Sequence, residues 1–427
     1  MKHNCIFTIC SKNFLAQALT LKESLKKNEP DADFHIFLAD KPSPEINEVD
    51  FIALDESWIP TWREMAFKYD VVEFNTSIKP FCFQKMFESG YINVVYMDPD
   101  LYVTNKLDYL WDNLEGHSIV LTPHITTIEL ADKGLLPETD FLFAGIFNLG
   151  FVALKNNETG RKVAIWWGHQ LEEYCFTSPN ESLFTDQKWM NFIPSFFSKE
   201  TLVTEHLGLN VSYWNLHERE LQVKDQGYFI KDKLTGKEWP LLIFHFSGFK
   251  PTNDKMISAH QPYYNINSFP SFIPIIQEYK QLEEENGYDK YSKLHYAFNA
   301  FEDDLLITGF HRRLYRATEK EFSGENPFSP QSGFYQNLRE SGLLVKEKNS
   351  AINAYARTVS EEKSRSRKLR IIESIAKGVF KFVGAKKYFS LVQQLRSLSV
   401  YENHTFLMRE MKTIDKNEFY TYRKTQK

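Results

Sequence analysis

The sequence predicts an α/β fold in which helices flank a mixed sheet, followed by a helical C-terminal extension. Up to about residue 115, short apolar runs alternate with helical patterns, which is typical of βαβ units with parallel strands. Between residues 116 and 250 the apolar runs continue with fewer helices between them, so this half of the sheet is expected to be mixed. From Pro274 onward the apolar spacing is helical.

The individual elements follow in order. Strands are predicted at residues 6–9, 34–39, 94–97, 118–121, 145–154 and 241–246. Helices are predicted at residues 15–25, after Lys79, and at residues 162–174, 275–285 and 291–315. Residues 253–270 are rich in Pro, Asn and Ser and are expected to lead out of the first domain. We therefore predict domains at residues 1–265, 266–350 and 351–427.

Two carboxylates follow the predicted strand at residues 94–97. Asp98 and Asp100 are separated only by Pro99, which restricts the backbone and stiffens the turn. Open α/β sheets place their ligands just beyond the carboxyl ends of such strands. Because two neighbouring carboxylates repel each other, the pair indicates a divalent cation or a basic partner. A surface turn with two solvated aspartates is the alternative interpretation.

A second candidate segment follows the predicted strand at residues 241–246. His245 offers an imidazole, which is a suitable ligand for Mn²⁺, and Lys250 offers a positive charge for phosphate. Gly248 allows backbone to approach a ligand closely. A histidine packed in the core would be the alternative, but the grouping of these three residues after a strand favours a functional site.

These two segments and four others resemble, in the same order, the retaining glycosyltransferases of the glycogenin and bacterial lipooligosaccharide galactosyltransferase type. The resemblance implies a GT-A fold with a Rossmann-like sheet, and it extends over residues 4–251. The chain departs from the family pattern at Pro99 and Phe249 and in its long C-terminal extension. The four further segments are residues 7–11 with Phe14 and the helix that follows, Lys79 at the start of a helix, residues 147–152, and residues 185–191.

The resemblance implies how the donor is bound. Mn²⁺ or Mg²⁺ would lie between the diphosphate of a nucleotide-sugar and three ligands, Asp98, Asp100 and His245. Gly248 and Lys250 would add positive potential beside the diphosphate. The base, which is uracil in the family, would be held by Thr8, Cys10, Ser11 and Phe14.

The resemblance also implies which residues contact the sugar. Lys79 would contact the donor sugar or phosphate, and Asn148 would touch the sugar. Asp186 and Gln187 would help Asn148 to orient the sugar, and one of the two, Asp186 or Gln187, would lie near the anomeric carbon, which becomes oxocarbenium-like as the glycosidic bond breaks. The family transfers its sugar with retention of configuration.

The function that follows is transfer of a sugar from a nucleotide-sugar, expected to be a UDP-sugar, to a glycan or lipid-linked glycan of a bacterial surface polysaccharide. Three alternatives remain open. An inverting GT-A transferase would share the acidic pair but would use a carboxylate as general base. A sugar nucleotidyltransferase normally has a glycine-rich loop, and residues 8–14 contain no glycine. A non-catalytic scaffold with a transferase fold would be expected to lose the metal ligands.

Composition is that of a globular protein without a nucleic-acid partner. The chain has 427 residues, 42% of them hydrophobic, and a formal net charge of −5, whereas binding along a phosphate backbone needs a broad basic face. Its four cysteines show no metal or disulfide spacing, and no apolar run is long enough for a signal peptide or a membrane span. We therefore expect a cytoplasmic protein, in which the sequons at Asn157, Asn180 and Asn210 are incidental.

The tail carries a basic amphipathic pattern. Residues 363–396 contain ten Lys or Arg and a single acid, Glu373. Apolar residues recur at helical spacing on one face, with Lys377 and Lys381 on another. A helix of this type can lie on an anionic membrane surface, or it can pack on an acidic surface of its own protein. The residues on the apolar face are Ile371, Ile372, Ile375, Val379, Phe382 and Val383.

A smaller basic cluster lies in the predicted helical domain. It consists of His311, Arg312, Arg313 and Arg316. Contact with an anionic substrate is one possibility, but a solvated helix face is the interpretation that we favour.

Overall fold

A seven-stranded mixed sheet forms the centre of the first of two units of the protein. The computed structural model describes residues 2–127, 136–253, 255–261, 264–346 and 359–408. One unit comprises residues 1–65 and 71–297, and the other comprises residues 66–70 and 298–427. Residues 266–297 thus belong to the unit that contains the sheet. The predicted boundary at 265 stays a prediction, and the one near 350 lies outside the described residues.

The strands run in the order β10-β6-β7-β4-β1-β2-β3 across the main sheet. β1 is parallel to both β2 and β4, whereas β7 is antiparallel to β4 and β6, so the predicted mixed sheet is confirmed. The strands are β1 (Lys2–Cys10), β2 (Asp33–Leu38), β3 (Ile52–Ala53), β4 (Tyr91–Met97), β5 (Leu101–Val103), β6 (Ile119–Pro123), β7 (Phe147–Lys155), β8 (Thr177–Ser178), β9 (Leu183–Phe184), β10 (Thr201–Val203), β11 (Arg219–Lys224), β12 (Gly227–Asp232), β13 (Glu238–Pro240) and β14 (Ile243–His245).

Helices cover the sheet and form most of the described C-terminal region, which confirms the predicted fold class. They are α1 (Leu15–Asn28), α2 (Trp62–Lys68), α3 (Val71–Ser77), α4 (Lys79–Glu88), α5 (Asp108–Gly116), α6 (Glu138–Ala144), α7 (Glu158–Tyr174), α8 (Ile193–Phe196), α9 (Ile273–Glu285), α10 (Tyr288–Tyr291), α11 (Gly309–Thr318), α12 (Gly333–Glu340) and α13 (Val359–Arg396). The helix predicted over residues 291–315 was wrong in extent, because the regular helix there begins only at Gly309.

Strand β4 is buried on both faces, as its continuous apolar sequence predicts. Val95 and Met97 pack with Ile6 in one cluster, and Tyr96 on the other face lies against Phe7. Full burial of an aliphatic side chain contributes about 1.5–3 kcal/mol, so this strand is firmly held in the sheet. Its carboxyl end is therefore a rigid place from which to present side chains.

A short antiparallel pair of strands carries His245 to that carboxyl end. β5 pairs with β14, and the register sets His245 opposite Leu101. The backbone N–H of Phe246 also donates to the carbonyl of Asp100 at 2.9 Å. Because β5 follows Asp100 directly, this pairing places His245 beside the two aspartates.

The second unit contains a buried arginine where the sequence suggested a solvated helix face. Arg312 is 2% exposed, and His311 is fully buried. The guanidinium of Arg312 donates to the carbonyls of Phe67 and Tyr69 at 2.7 and 2.6 Å and to that of Phe298 at 2.7 Å. The prediction of a solvated face was wrong, because the guanidinium of Arg312 satisfies carbonyls of other segments and the imidazole of His311 lies 2.9 Å from the carbonyl of Leu343. Arg313 and Arg316 are also mostly buried, with side chains 18% and 10% exposed beside Glu402.

The tail helix α13 keeps an apolar face exposed. Ile371, Ile372, Ile375 and Phe382 are 55%, 60%, 62% and 92% exposed. The backbone at Gly384 is not helical, with φ 75°, so α13 consists of two helical segments that meet there. No helix in the described residues combines the length and the apolar character needed to cross a membrane.

Candidate metal and nucleotide-sugar site

The carboxylates of Asp98 and Asp100 and the imidazole of His245 converge beyond the carboxyl end of β4. One ligand atom from each residue lies within 4.8 Å of the other two. His245 Nε2 is 3.2 Å from Asp100 Oδ1 and 3.9 Å from Asp98 Oδ2. The side chain of His245 is 3% exposed, whereas those of Asp98 and Asp100 are 28% and 19% exposed, so the carboxylates are accessible from solvent.

This donor set fits a divalent cation. Carboxylate oxygens suit Mg²⁺ and Mn²⁺, and an imidazole nitrogen is compatible with Mn²⁺. Burial opposes the charged form of Asp100, but the neighbouring imidazole of His245 outweighs it, so the pKa of Asp100 lies below its ordinary value. Asp100 is therefore ionised at neutral pH, as a metal ligand must be.

Gly150 on β7 leaves room for this arrangement. A Cβ atom there would overlap Cε1 of His245 and would lie 2.9 Å from Oδ2 of Asp98. Its carbonyl accepts a hydrogen bond of 2.7 Å from the backbone N–H of Asp98. Only glycine fits at position 150, because the side chains of His245 and Asp98 both approach its backbone closely. Strand β7 thus contacts both of these predicted metal ligands.

Lys79 connects the acidic pair to Asp186. Its Nζ lies 2.9 Å from Oδ2 of Asp186 and 3.7 Å from Oδ1 of Asp98, and it donates to the carbonyl of Leu149 at 2.9 Å. The lysine begins α4, where Pro80 occupies the first turn and loses no helical hydrogen bond. Burial lowers the pKa of Lys79, but the negative charges of Asp186 and Asp98 raise it by more. The pKa of Lys79 therefore lies above its ordinary value.

Tyr96 completes the surroundings of Asp98. Its hydroxyl donates to Oδ1 of Asp98, and Lys79 Nζ lies 4.3 Å from the centroid of its ring. Burial raises the pKa of Tyr96, and the charge of Asp98 adds to the effect, so the phenol stays a neutral donor. Sequence reasoning included Tyr96 only as part of the strand.

The predicted sugar-contacting residues lie around this core of charges. Asn148 is 9% exposed, and its Oδ1 accepts from the backbone N–H of Gly150 at 3.1 Å. Asp186 follows Thr185, which has a φ of 43°, and Gln187 donates from Nε2 to the carbonyl of Ala144 at 2.9 Å. Roles for these residues in contacting a sugar stay predictions.

The predicted base-binding residues lie at the carboxyl end of β1, beside that of β4. Thr8 is fully buried in the sheet, and Cys10 and Ser11 are each 2% exposed. Burial raises the pKa of the Cys10 thiol, so that thiol is a neutral group. Phe14 is 38% exposed, and its ring is the part of this segment most accessible to a base.

The segment that follows β14 is shaped by Gly248. This residue has a φ of 70°, and a Cβ atom there would lie 2.5 Å from Cδ2 of His260 and 2.8 Å from Oγ of Ser258. Lys250 is exposed, two residues beyond. Sequence reasoning missed His260, which comes close to the site only because this turn folds back.

Sequence reasoning also missed Asn210 and His124, which lie beside the predicted site residues His245 and Asn148. Asn210 Oδ1 lies 3.0 Å from Nδ1 of His245, and Asn210 Nδ2 donates to Oδ1 of Asn148 at 3.0 Å. His124 stacks on Phe141, and burial lowers its pKa to about 4, so its imidazole is neutral. The only sequence pattern at Asn210 was a glycosylation sequon, which gave no indication that this residue contacts His245 and Asn148.

No protein-family model matches the chain. In sequence, the chain is 25% identical over 254 residues to the uncharacterized protein YfnF of Bacillus subtilis (strain 168). The aligned segment covers 57% of this chain and 80% of YfnF. In structure, it is similar to the galactosyltransferase LgtC, solved with donor and acceptor sugar analogues, with a TM-score of 0.41 and 15% identity over 66% of this chain and 95% of LgtC. It is also similar to the glycosyltransferase GlyE of Streptococcus pneumoniae TIGR4, with a TM-score of 0.38 and 15% identity over 71% of this chain and 67% of GlyE.

Proposed function

We propose that the chain is a metal-dependent glycosyltransferase that moves a sugar from a nucleotide-sugar, of which a UDP-sugar is the expected kind, to a glycan acceptor. The observation that carries the proposal is the convergence of Asp98, Asp100 and His245, with the buried pair of Lys79 and Asp186 directly beside it. A chain that had become a non-catalytic scaffold would have no need to keep such a set of charges together.

Each part of the site has a task in this reaction. A bound Mn²⁺ or Mg²⁺ supplies Lewis-acid stabilisation for the charge of the departing nucleoside diphosphate. Asp98, Asp100 and His245 would hold that cation, and the exposed Lys250 would add positive potential on the diphosphate side. Phe14, with a partly exposed ring, would stack on the base.

The sugar would lie against the other half of the site. Asn148 and Gln187 offer amides for its hydroxyl groups, and the carboxylate of Asp186 would stabilise positive charge at the anomeric carbon. Lys79 holds the carboxylate of Asp186 in place, because the two side chains form a buried ion pair. We further propose retention of configuration, which NMR of the anomeric proton in the product separates from inversion.

The acceptor is proposed to be a lipid-linked glycan of bacterial surface-polysaccharide assembly. The exposed apolar face of α13, with Lys377 and Lys381 beside it, would bring the enzyme to an anionic membrane surface where such an acceptor lies. The enzyme would then act in the cytoplasm, at the inner face of the membrane.

The test is a screen of UDP-sugars for metal-dependent hydrolysis of the donor. We expect release of UDP from one donor in the presence of Mn²⁺, and we expect EDTA to abolish it. The variant Asp98→Ala should retain less than about a tenth of the wild-type rate, because one of three metal ligands is lost. The matched control is Asp112→Ala, which removes an exposed carboxylate on α5. Activity of Asp98→Ala close to that of Asp112→Ala would contradict the proposal.

A further inference from the structure

Asn210 lies at the centre of a buried network of side chains behind His245. It is 1% exposed, and its φ of 58° puts it in the left-handed region, which asparagine tolerates better than most residues. Its amide group has three neighbours within hydrogen-bonding distance: Thr122, Asn148 and His245. None of these contacts can be read from the local sequence.

The orientation of the two amides follows from one backbone donor. The N–H of Gly150 can only donate, so the atom of Asn148 that lies 3.1 Å from it must be the oxygen. The atom of Asn210 that lies 3.0 Å from this same oxygen must then be the NH₂ group. The second hydrogen of that NH₂ group is donated to Oγ1 of Thr122 at 2.8 Å. The hydroxyl of Thr122 in turn donates to the backbone carbonyl of Asn148 at 3.2 Å.

The tautomer of His245 follows in turn. With its NH₂ group occupied, Asn210 presents Oδ1 to Nδ1 of His245 at 3.0 Å, and an oxygen there requires a hydrogen on Nδ1. The other ring nitrogen, Nε2, lies 3.2 Å from Asp100 Oδ1 and donates to this oxygen when no cation is bound, so a bound cation would replace the hydrogen on Nε2 and leave the one on Nδ1. A histidine with its hydrogen on Nδ1 can offer the lone pair of Nε2 to a cation.

The backbone around Asn210 holds the ring in the same orientation. The N–H of His245 donates to the carbonyl of Val211 at 2.7 Å, and Oγ of Ser212 donates to the carbonyl of His245 at 2.7 Å. Trp214 packs against the imidazole, with an interplanar angle of 89° and 5.2 Å between ring centroids. The segment 210–214 therefore constrains His245 from its backbone and from its ring.

We propose that Asn210 is a positioning residue that holds His245 as the Nδ1–H tautomer and so makes Nε2 available as a metal ligand. The inference rests on the proposed metal site and deepens it. Through Asn148, the same network connects the imidazole of the metal site to the amide expected to touch the sugar. Asn210 itself touches neither the cation nor the substrate.

The first test is the affinity for Mn²⁺, measured from the EPR signal of free Mn²⁺ without any substrate. In Asn210→Gly the left-handed backbone is retained, because glycine adopts a positive φ freely, and only the amide is lost. We expect the affinity of this variant to fall about 10–100-fold, as for other residues that orient a metal ligand. Thr122→Val is the matched control, since it alters the network but leaves the bond to His245, and its affinity should stay within about threefold of wild type.

The second test observes the tautomer directly. In the wild-type protein loaded with Cd²⁺, a diamagnetic substitute, ¹⁵N NMR of the histidine rings should show hydrogen on Nδ1 of His245 and metal on Nε2. The signal is assigned by its loss in His245→Gln. In Asn210→Gly the Nδ1–H signal should be lost to exchange with water, because its acceptor is gone.

The outcomes separate the inference from the proposed function. Wild-type affinity in Asn210→Gly with an unchanged Nδ1–H signal would overturn the role of Asn210 and leave the metal site intact. Metal on Nδ1 in the wild type would also overturn it, even if Asn210→Gly did not fold. A wild-type protein that binds neither cation would refute the metal site itself, and with it the proposed function.

Discussion

Lys79 Nζ lies 2.9 Å from Oδ2 of Asp186, and each of the two side chains is only 2% exposed. An ion pair so deeply buried requires both partners, because either charge alone would be left without compensation. The same ammonium lies 3.7 Å from Asp98, one of the predicted metal ligands. Lys79 thus connects the metal end of the site to the end where the sugar is expected.

We predict that Lys79→Met destabilises the protein by about 3–5 kcal/mol, because it leaves Asp186 buried and unpaired. The double variant Lys79→Met with Asp186→Asn should regain most of this stability, since neither charge remains. It should not regain sugar transfer, for which both groups are needed. Urea unfolding and the UDP-release assay measure the two effects separately. A single variant as stable as wild type would contradict the buried pair.

The second prediction concerns Gly150. We expect Gly150→Ala to abolish high-affinity binding of Mn²⁺, because the added Cβ would displace the imidazole of His245 and press on Asp98. The measurement is the free Mn²⁺ signal in EPR. Gly116→Ala is the matched control, since a Cβ there meets no atom within 4 Å, and it should bind Mn²⁺ as wild type does. Equal affinity in the two variants would show that His245 is not a ligand.

Much of this site could be predicted because its strongest signal is local. The apolar run of β4 and the turn at Asp98, Pro99 and Asp100 are adjacent in sequence, and the sheet that forms around them follows from alternation of apolar runs and helices. His245 lies far along the chain, and its place in the site was expected from the order of family-like segments. The antiparallel pairing of β5 with β14 is the structural cause of that proximity.

Other residues could not be predicted, because their roles depend on partners that only the fold brings together. Asn210 acts through Thr122, Asn148 and His245, none of which is near it in sequence. The sequence around Arg312 is typical of a surface charge, yet its guanidinium is buried and donates to the carbonyls of residues 66, 67, 69 and 298. In both cases a polar side chain satisfies buried groups from several segments, which leaves no periodic pattern in the chain.

The third prediction is a dependence of stability on pH that comes from Glu283 in α9. This carboxyl is 1% exposed, and burial, with a smaller contribution from Asp100, raises its pKa from 4.5 to about 9. The unfolded chain therefore loses the proton near pH 4.5, whereas the folded protein keeps it until about pH 9. The stability that the protein gains by keeping Glu283 protonated is therefore complete below pH 4.5 and is lost as the pH rises from 4.5 to about 9.

Glu283→Gln should remove this dependence, because the amide does not ionise. We expect the variant to be more stable than wild type by at least about 1.4 kcal/mol at mildly alkaline pH, the value of a single pKa unit. The difference should shrink toward pH 4.5. Melting temperatures across the range measure it. The exposed neighbour Glu284 supplies the control, and a pH profile of Glu283→Gln that matches that of Glu284→Gln would refute the assignment.

The last prediction concerns the exposed apolar face of α13. Phe382 and Ile375 are 92% and 62% exposed, so serine at these positions removes apolar surface with little effect on folding. Burial of each side chain in a membrane interface would be worth about 1.5–3 kcal/mol, and the double variant should therefore sediment with anionic vesicles at least about tenfold more weakly than wild type. Leu234→Ser, which alters an exposed leucine between β12 and β13, should sediment as wild type does. If wild type itself stays in solution with anionic vesicles, the membrane role of this apolar face is refuted, and with it the argument for a membrane-bound acceptor.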